Sequence, residues 1–442
     1  MGYALALAEG RIPHVLEPID LVATKLNYLR GTNLQAAAAH PPLYHALVAL
    51  PLAAAADADR IDLGIRFARG LSLLFGVLSV LYAHRLVRLL FPASPHLALA
   101  AAAMVATFPV YVASSSIGYS DSIGTLAFVA TLASCVEVAR RGFTWRRYAI
   151  ACVWYALASL SRLPILVAVT PALFALGLPR FAEERGALAR ALRTVLPAVG
   201  PLAAAAAASG WFYALNLSRY GDPSAASTLL TRLERVPVPL VDLLLSNDWN
   251  RMFEYQWASI VAHVRKYAFA SHYARVVLWV ALGGGVIHAV RWFRGRGAPR
   301  SRVPLELSAS RLVAATCVLF SVALLFLFRS KGGTYTARYA MPFAWALGLG
   351  IASGFSWPRR ALPLQLVLAA NAFFLYATLE QYAPDTLTSF DETQLGTALE
   401  TAGVPMPELV LFGHCALLFV GAALVVTAVG ALYRRPGREA EA

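Results

Sequence analysis

The stretch FARGLSLLFGVLSVLYAHRLVRLLF, residues 67–91, decides how the chain is read. It is long and apolar enough to cross a bilayer core, which takes about 20 such residues. Its late arginines, Arg85 and Arg88, mark one end. Comparable segments recur at 96–116, 121–139, 147–161, 164–180, 191–213, 274–291, 310–328, 336–356, 360–379 and 409–433, giving eleven predicted spans. Pro164 breaks the 147–180 region into two kinked spans or one long broken one. Lipid offers no hydrogen-bond partner to the backbone, so a spanning chain is helical or a closed barrel. The period-2 alternation of a barrel is absent. The expected fold class is therefore all-α: a polytopic membrane protein with an external juxtamembrane helix and an external loop region.

Composition agrees. The 442 residues are 59% hydrophobic and 14% charged, against roughly 25% charged in a soluble domain, and the mean hydropathy is +0.60. A net charge of +14 would suggest nucleic acid in a soluble protein. Here much of it lies in short connections, where Lys and Arg set orientation, and no nucleic-acid partner is expected. Cys135, Cys152, Cys317 and Cys415 all fall inside apolar runs, with no metal-ligand spacing and no disulfide framework. Walker A, GxGxxG, HExxH and GxSxG motifs are absent. No cofactor or metal ligand set is expected, and a need for a divalent ion stays open.

Every second connection is basic: Arg85 and Arg88; Arg140, Arg141, Arg146 and Arg147; Arg180 to Arg193; Arg291 to Arg311; Arg359 and Arg360; Arg434 to Arg438. These are read as cytoplasmic, the C-terminus included. The segments are then 1–66, external; 67–213, membrane helices; 214–273, an external loop; 274–433, membrane helices; and 434–442, a cytoplasmic tail. Parity places AAAAHPPLYHALVALP, residues 36–51, on the outer side. It reads as a short juxtamembrane or re-entrant helix with a Pro-stiffened lip. An exported segment 1–66 usually follows a signal anchor, so a further apolar span is expected upstream of Met1.

Ionisable residues at membrane level are functional candidates. Asp121, at an outer span mouth, reads either as a helix N-cap or as a catalytic carboxylate. Arg162 and Arg338 lie on the side where topology does not ask for positive charge. Each suits bidentate phosphate binding or snorkelling to headgroups. Tyr339, beside Arg338, suits a site or an aromatic belt. His40 and Tyr44 belong to the lip, and Pro41 and Pro42 shape its helix start. Within the external segment, Gly221, Asp222 and Pro223 read as a turn. Asn216-Leu217-Ser218 fits a glycosylation acceptor. Asp248, Trp249, Asn250, Glu254 and Trp257 suit sugar binding or an interfacial helix.

An external N-terminal segment, an HPPLY lip, an outer Asp two spans later, and an Arg-Tyr-x-x-Pro span start occur in that order. This order resembles the GT-C membrane glycosyltransferases, which include protein O-mannosyltransferases and aminoarabinose transferases. YGDP and FEYQWASI are similar to segments of bacterial members. The resemblance implies a polyprenyl-phosphate sugar donor, a saccharide, lipid or protein acceptor, and transfer on the outer face of the cell membrane. It also implies an acidic pair just after a first span, and MGYALALAEGRIP looks like the helix that follows that pair. On this reading the principal carboxylate precedes Met1. Asp121 supports it, and Glu9, Glu17 and Asp20 are further acidic candidates. His40, Tyr44, Arg162, Arg338 and Tyr339 would bind substrate. Two alternatives remain: a transporter or flippase of lipid-linked saccharides, and a non-catalytic protein of the same fold.

Overall fold

The computed structural model describes residues 2–18, 36–116, 120–178, 195–246, 268–295, 305–333 and 337–355, with a few single positions between them. These residues are overwhelmingly helical. The first eight α-helices are α1 (Gly2–Ala8), α2 (Leu43–Asp57), α3 (Ile61–Leu90), α4 (Pro95–Thr107), α5 (Pro109–Ser116), α6 (Asp121–Arg141), α7 (Trp145–Ser161) and α8 (Leu163–Val169). Then follow α9 (Val199–Tyr220), α10 (Ala226–Arg232), α11 (Leu240–Ser246), α12 (Ala268–Gly295), α13 (Leu305–Ser330) and α14 (Ala344–Phe355). Tight 3-10 turns precede His40, continue α8 over Thr170–Gly177, and lead into α14 over Ala337–Phe343.

Helix α6 is the axis. Every residue from Asp121 to Ala139 is buried, as expected for a helix that is apolar all round. Its small residues, Gly124, Ala127, Ala130, Ala133 and Ser134, let neighbours approach closely. Helices α3, α7, α8 and α13 and the 337–343 turn pack around it. On α3, Gly76 serves the same end: a Cβ there would stand 2.7 Å from the Ser115 hydroxyl of α5. The Tyr111 hydroxyl donates to the Gly76 carbonyl at 2.7 Å.

Four described helices are long and apolar enough to cross a membrane, or five if the α4–α5 pair counts as one span. The count of eleven is therefore not confirmed, and the predicted spans 360–379 and 409–433 lie outside the described residues. Three boundaries move. The 96–116 span is two helices bent by 64°, because Pro109 cannot continue α4. α3 starts at Ile61, six residues before the predicted span. α9 runs to Tyr220, past the predicted end at 213, and stops where Gly221 takes the left-handed conformation (φ 68°) and its N–H closes on the Leu217 carbonyl. That cap is the turn read at Gly221-Asp222-Pro223. Asp222 completes it, accepting the backbone N–H and hydroxyl of both Ser224 and Ser227. Partial burial works against the charged form of Asp222, but these hydrogen bonds outweigh it and bring its pKa down to about 2.

Asn216 is not an exposed glycosylation acceptor. It is 2% exposed inside α9, and its amide donates to the carbonyls of Pro223 (3.1 Å) and Ala39 (3.5 Å). It thereby ties the lip to the turn after α9. The N-terminal segment docks on the same region. Arg219 and Arg232 donate to the carbonyls of Ile12 and Val15, and Tyr220 accepts from the Val15 N–H.

The arginine-rich ends of α3 and α6 meet away from Asp121. Arg85 and Arg141 both pair with Glu137, and Arg311 of α13 donates to the Leu90 carbonyl at 2.9 Å. Asp121 and Glu137 thus mark opposite ends of α6, about 24 Å apart at 1.5 Å per residue.

Candidate functional site

Three irregular pieces of backbone converge at the Asp121 end. The first is the lip. A 3-10 turn (Ala36–Ala39) delivers His40, and the buried Pro41 and Pro42 lead into α2. α2 is 15 residues long, too short to cross a bilayer, as the sequence reading required. The second is the break between α7 and α8. Pro164 has no N–H for the Leu160 carbonyl and its ring would clash there, so α7 ends at Ser161. Arg162 is extended (φ −160°, ψ 140°). The third is the 337–343 turn, which carries Arg338 and Tyr339 and packs against α5 and α6.

The break turns Arg162 onto Asp121. Arg162 Nη1 lies 2.9 Å from Asp121 Oδ1, with side-chain exposures of 16% and 7%, and Nη2 donates to the Ser120 hydroxyl at 3.0 Å. Two readings of the sequence are corrected here. Asp121 is not the N-cap of α6: Ser120 holds that position with no side-chain capping bond, and the Asp121 carboxylate is spent on Arg162. Arg162 does not snorkel, because its guanidinium is held inside the protein by that carboxylate.

His40 feels the charge of both arginines. Burial first, then the charges of Arg162 and Arg338, push its pKa down to about 3, so its imidazole is neutral at pH 7. Tyr3 of α1 lies beside it, its hydroxyl 3.4 Å from the His40 carbonyl. The Arg338 guanidinium sits 5.4 Å from the Tyr339 ring centroid, and Tyr339 meets Phe328 edge-on at 5.4 Å. The structure thus gathers His40, Asp121, Arg162 and Arg338, with Tyr339 alongside.

Two sequence candidates lie differently. The Tyr44 hydroxyl is buried against α3, donating to the Ala68 carbonyl and accepting from the Ser72 hydroxyl, both at 2.9 Å; it anchors the lip. Glu9 is 66% exposed in its side chain, with Arg11 at 3.9 Å; Arg11 also pairs with Glu17. Asp20, Asp248, Asn250, Glu254 and Trp257 lie outside the described residues. Trp249 is 47% exposed, its ring tilted against Phe326 at 5.9 Å.

Two residues at this end were missed. His45 is buried between Tyr3 (4.6 Å) and Tyr44 (5.6 Å). Arg69 is 7% exposed on α3, close enough for its charge to act on Tyr44. An arginine three residues into an apolar span was the signal for Arg69. Among the described residues no group of three or more His, Cys, Asp or Glu side chains is placed to hold a metal ion.

Residues 39–219, which include His40, Asp121 and Arg162, match the family model described as dolichyl-phosphate-mannose-protein mannosyltransferase. Among solved structures the chain is similar to the crystal structure of ArnT from Cupriavidus metallidurans bound to undecaprenyl phosphate. Identity is 16% and the TM-score 0.40, over 89% of this chain and 66% of that one. The chain therefore spans slightly less than two thirds of that relative's length. No curated protein matches.

Proposed function

We propose that the chain transfers a sugar from a polyprenyl-phosphate carrier to an acceptor on a saccharide, lipid or protein, at the Asp121 end of the bundle and on the outer face of the cell membrane. The observation that carries this reading is the Asp121–Arg162 ion pair inside the protein, with His40 feeling the charges of Arg162 and Arg338. Three of these four residues lie in the stretch that matches the mannosyltransferase family model.

The chemistry follows from the groups present. An acceptor oxygen attacks the anomeric carbon, the bond from that carbon to the phosphate oxygen breaks, and the electron pair leaves with the phosphate. Arg162 and Arg338 hold the departing phosphate, whose charge is best stabilised by donors fixed in a dry site. Phosphate shares Arg162 with Asp121, which frees the carboxylate to orient the acceptor and take its proton. Neutral His40 hydrogen-bonds the phosphate without adding charge. Tyr44 and Asn216 hold the lip in place. Glu9, exposed and beside Arg11, receives no role.

Purified full-length protein, given a polyprenyl-phosphate-linked sugar and acceptor, tests this. Asp121→Asn should lower turnover by about 10²- to 10⁴-fold, the usual size of general-base catalysis, while donor binding persists. Wild-type turnover in Asp121→Asn would refute the assignment. Sidedness is tested separately: an impermeant thiol reagent applied from outside should label a cysteine placed at Glu234 and spare one at Arg146. The reverse pattern would remove the outer site.

A further inference from the structure

The opposite end of α6 holds a second buried carboxylate. Glu137 receives Arg85 of α3 on one oxygen and Arg141 of α6 on the other, the latter at 2.9 Å. Both carboxylate oxygens are engaged, yet the two arginine side chains remain 45% and 60% exposed. They are held side by side with one positive charge in excess. Arg147 is engaged with the carbonyls of Arg141 and Gly142, but Arg88 and Arg146 add further exposed charge. Across residues 81–95 and 137–150, Glu137 is the sole acidic residue.

The surface next to these cations is apolar. Leu74, Leu78, Leu81, Arg85 and Arg88 fall at i, i+4, i+7, i+11 and i+14 on α3, one continuous stripe. Leu74 and Leu81 are about half exposed, at 51% and 52%. On α7, Val153 is 58% exposed. Between the apolar wall and the arginines lies an aromatic ledge: Tyr82 meets Trp154 edge-on at 5.2 Å, and Arg85 lies 5.7 Å over the Tyr82 ring. Apolar wall, aromatic ledge and cationic rim follow one another in the order of a phospholipid's chains, glycerol region and phosphate.

We propose that this face binds an anionic phospholipid, its phosphate on Arg85 and Arg141, its glycerol region on Tyr82 and Trp154, and its acyl chains along the Leu74–Leu81 stripe. The occupant is a lipid, because the stripe belongs to a helix long and apolar enough to cross a membrane, so its exposed flank meets acyl chains. It is anionic, because the rim carries uncompensated positive charge, worth about five-fold in affinity for each arginine. The proposal is independent of the transfer reaction.

The test uses the full chain in phosphatidylcholine vesicles doped with either brominated phosphatidylglycerol or brominated phosphatidylcholine. The Trp154 signal is isolated by difference against Trp154→Phe. Quenching should saturate at an at least about five-fold lower fraction of the brominated anionic lipid. Arg85→Gln/Glu137→Gln/Arg141→Gln, which removes the buried carboxylate together with its partners, should merge the two curves. Equal curves for the native protein would overturn the proposal, whatever the variant does. So would an unchanged preference in a folded triple variant, or displacement by free glycerol phosphate as effective as by the lipid.

Discussion

Asp121 and Glu137 sit at opposite ends of one helix, both buried and both held by arginine. Glu137 draws its partners from regular helix. Arg141 is one turn away on the same helix, Arg85 comes from the parallel stretch of α3, and both guanidiniums reach solvent. Asp121 draws its partner from a helix break 41 residues on, and that arginine side chain is only 16% exposed. A neutral histidine, His40, feels the charges of Arg162 and Arg338. The Glu137 end is a clip whose carboxylate is doubly compensated. The Asp121 end keeps an ion pair in a dry place, at a cost in desolvation that apolar side chains would not incur. Such an expense is expected where charge has work to do on a substrate.

The comparison breaks most directly at Arg162. Arg162→Ala leaves Asp121 buried beside a void, and losing one partner of a buried pair costs about 3–5 kcal/mol. Denaturant unfolding in detergent should show that loss. Asp121→Asn/Arg162→Gln removes both charges and should recover most of the stability while transfer stays abolished. Recovery of transfer in the double variant would make the pair a structural clip like the one at Glu137. A smaller effect is expected at Arg338. Arg338→Lys keeps the charge and loses the planar fork, so donor KM should rise about ten-fold with turnover nearly unchanged, since ten-fold is about 1.4 kcal/mol. An unchanged KM would remove Arg338 from donor binding.

The Asp121 end carries a pH response of its own. His40 has its folded pKa lowered to about 3 from an ordinary value of 6.5. Between those values the unfolded chain binds the extra proton, so stability rises with pH through that window and levels off above it. On acidification from pH 6.5 the protein should lose up to about 1.4 kcal/mol per pH unit through this residue. His45, driven well below its ordinary value first by burial, with nearby charge adding to it, acts in the same direction. Unfolding measured from pH 7 to 5 should show the slope, and His40→Gln should flatten part of it. An identical slope in that variant would place His40 in contact with solvent.

The chain's order of apolar segments and arginines made the helical class and the two charged ends legible, because both are local properties of a stretch. Asp121, Arg162 and Arg338 were assigned to one side by counting spans, and the structure brings them to one end of the bundle. What was not legible were the partners. Asp in the first turn after a serine has the local pattern of a cap, and only the fold brings Arg162 close enough to claim the carboxylate. Asn-Leu-Ser reads as a surface motif, until α9 continues past the predicted end and buries Asn216 against the lip. His45 was hidden by apolar neighbours. Burial of a polar side chain is decided by helices far away in sequence.

The smallest effect is expected where the charges are most conspicuous. Arg141 sits at i+4 from Glu137, with its side chain 60% exposed. Exposed i,i+4 pairs contribute about 0.3–0.5 kcal/mol, and a cation in the last turn adds a comparable amount through the helix dipole. Arg85 stays on Glu137 when Arg141 is lost, so the buried carboxylate never stands alone. Arg141→Ala should therefore lower stability by less than about 1 kcal/mol and leave donor KM and turnover where they were. Side-by-side unfolding and transfer assays with Arg162→Ala decide the matter. If Arg141→Ala were as damaging as Arg162→Ala, the two ends of α6 would be energetically alike, and burial of the guanidinium would no longer explain why one end is proposed as the site of chemistry.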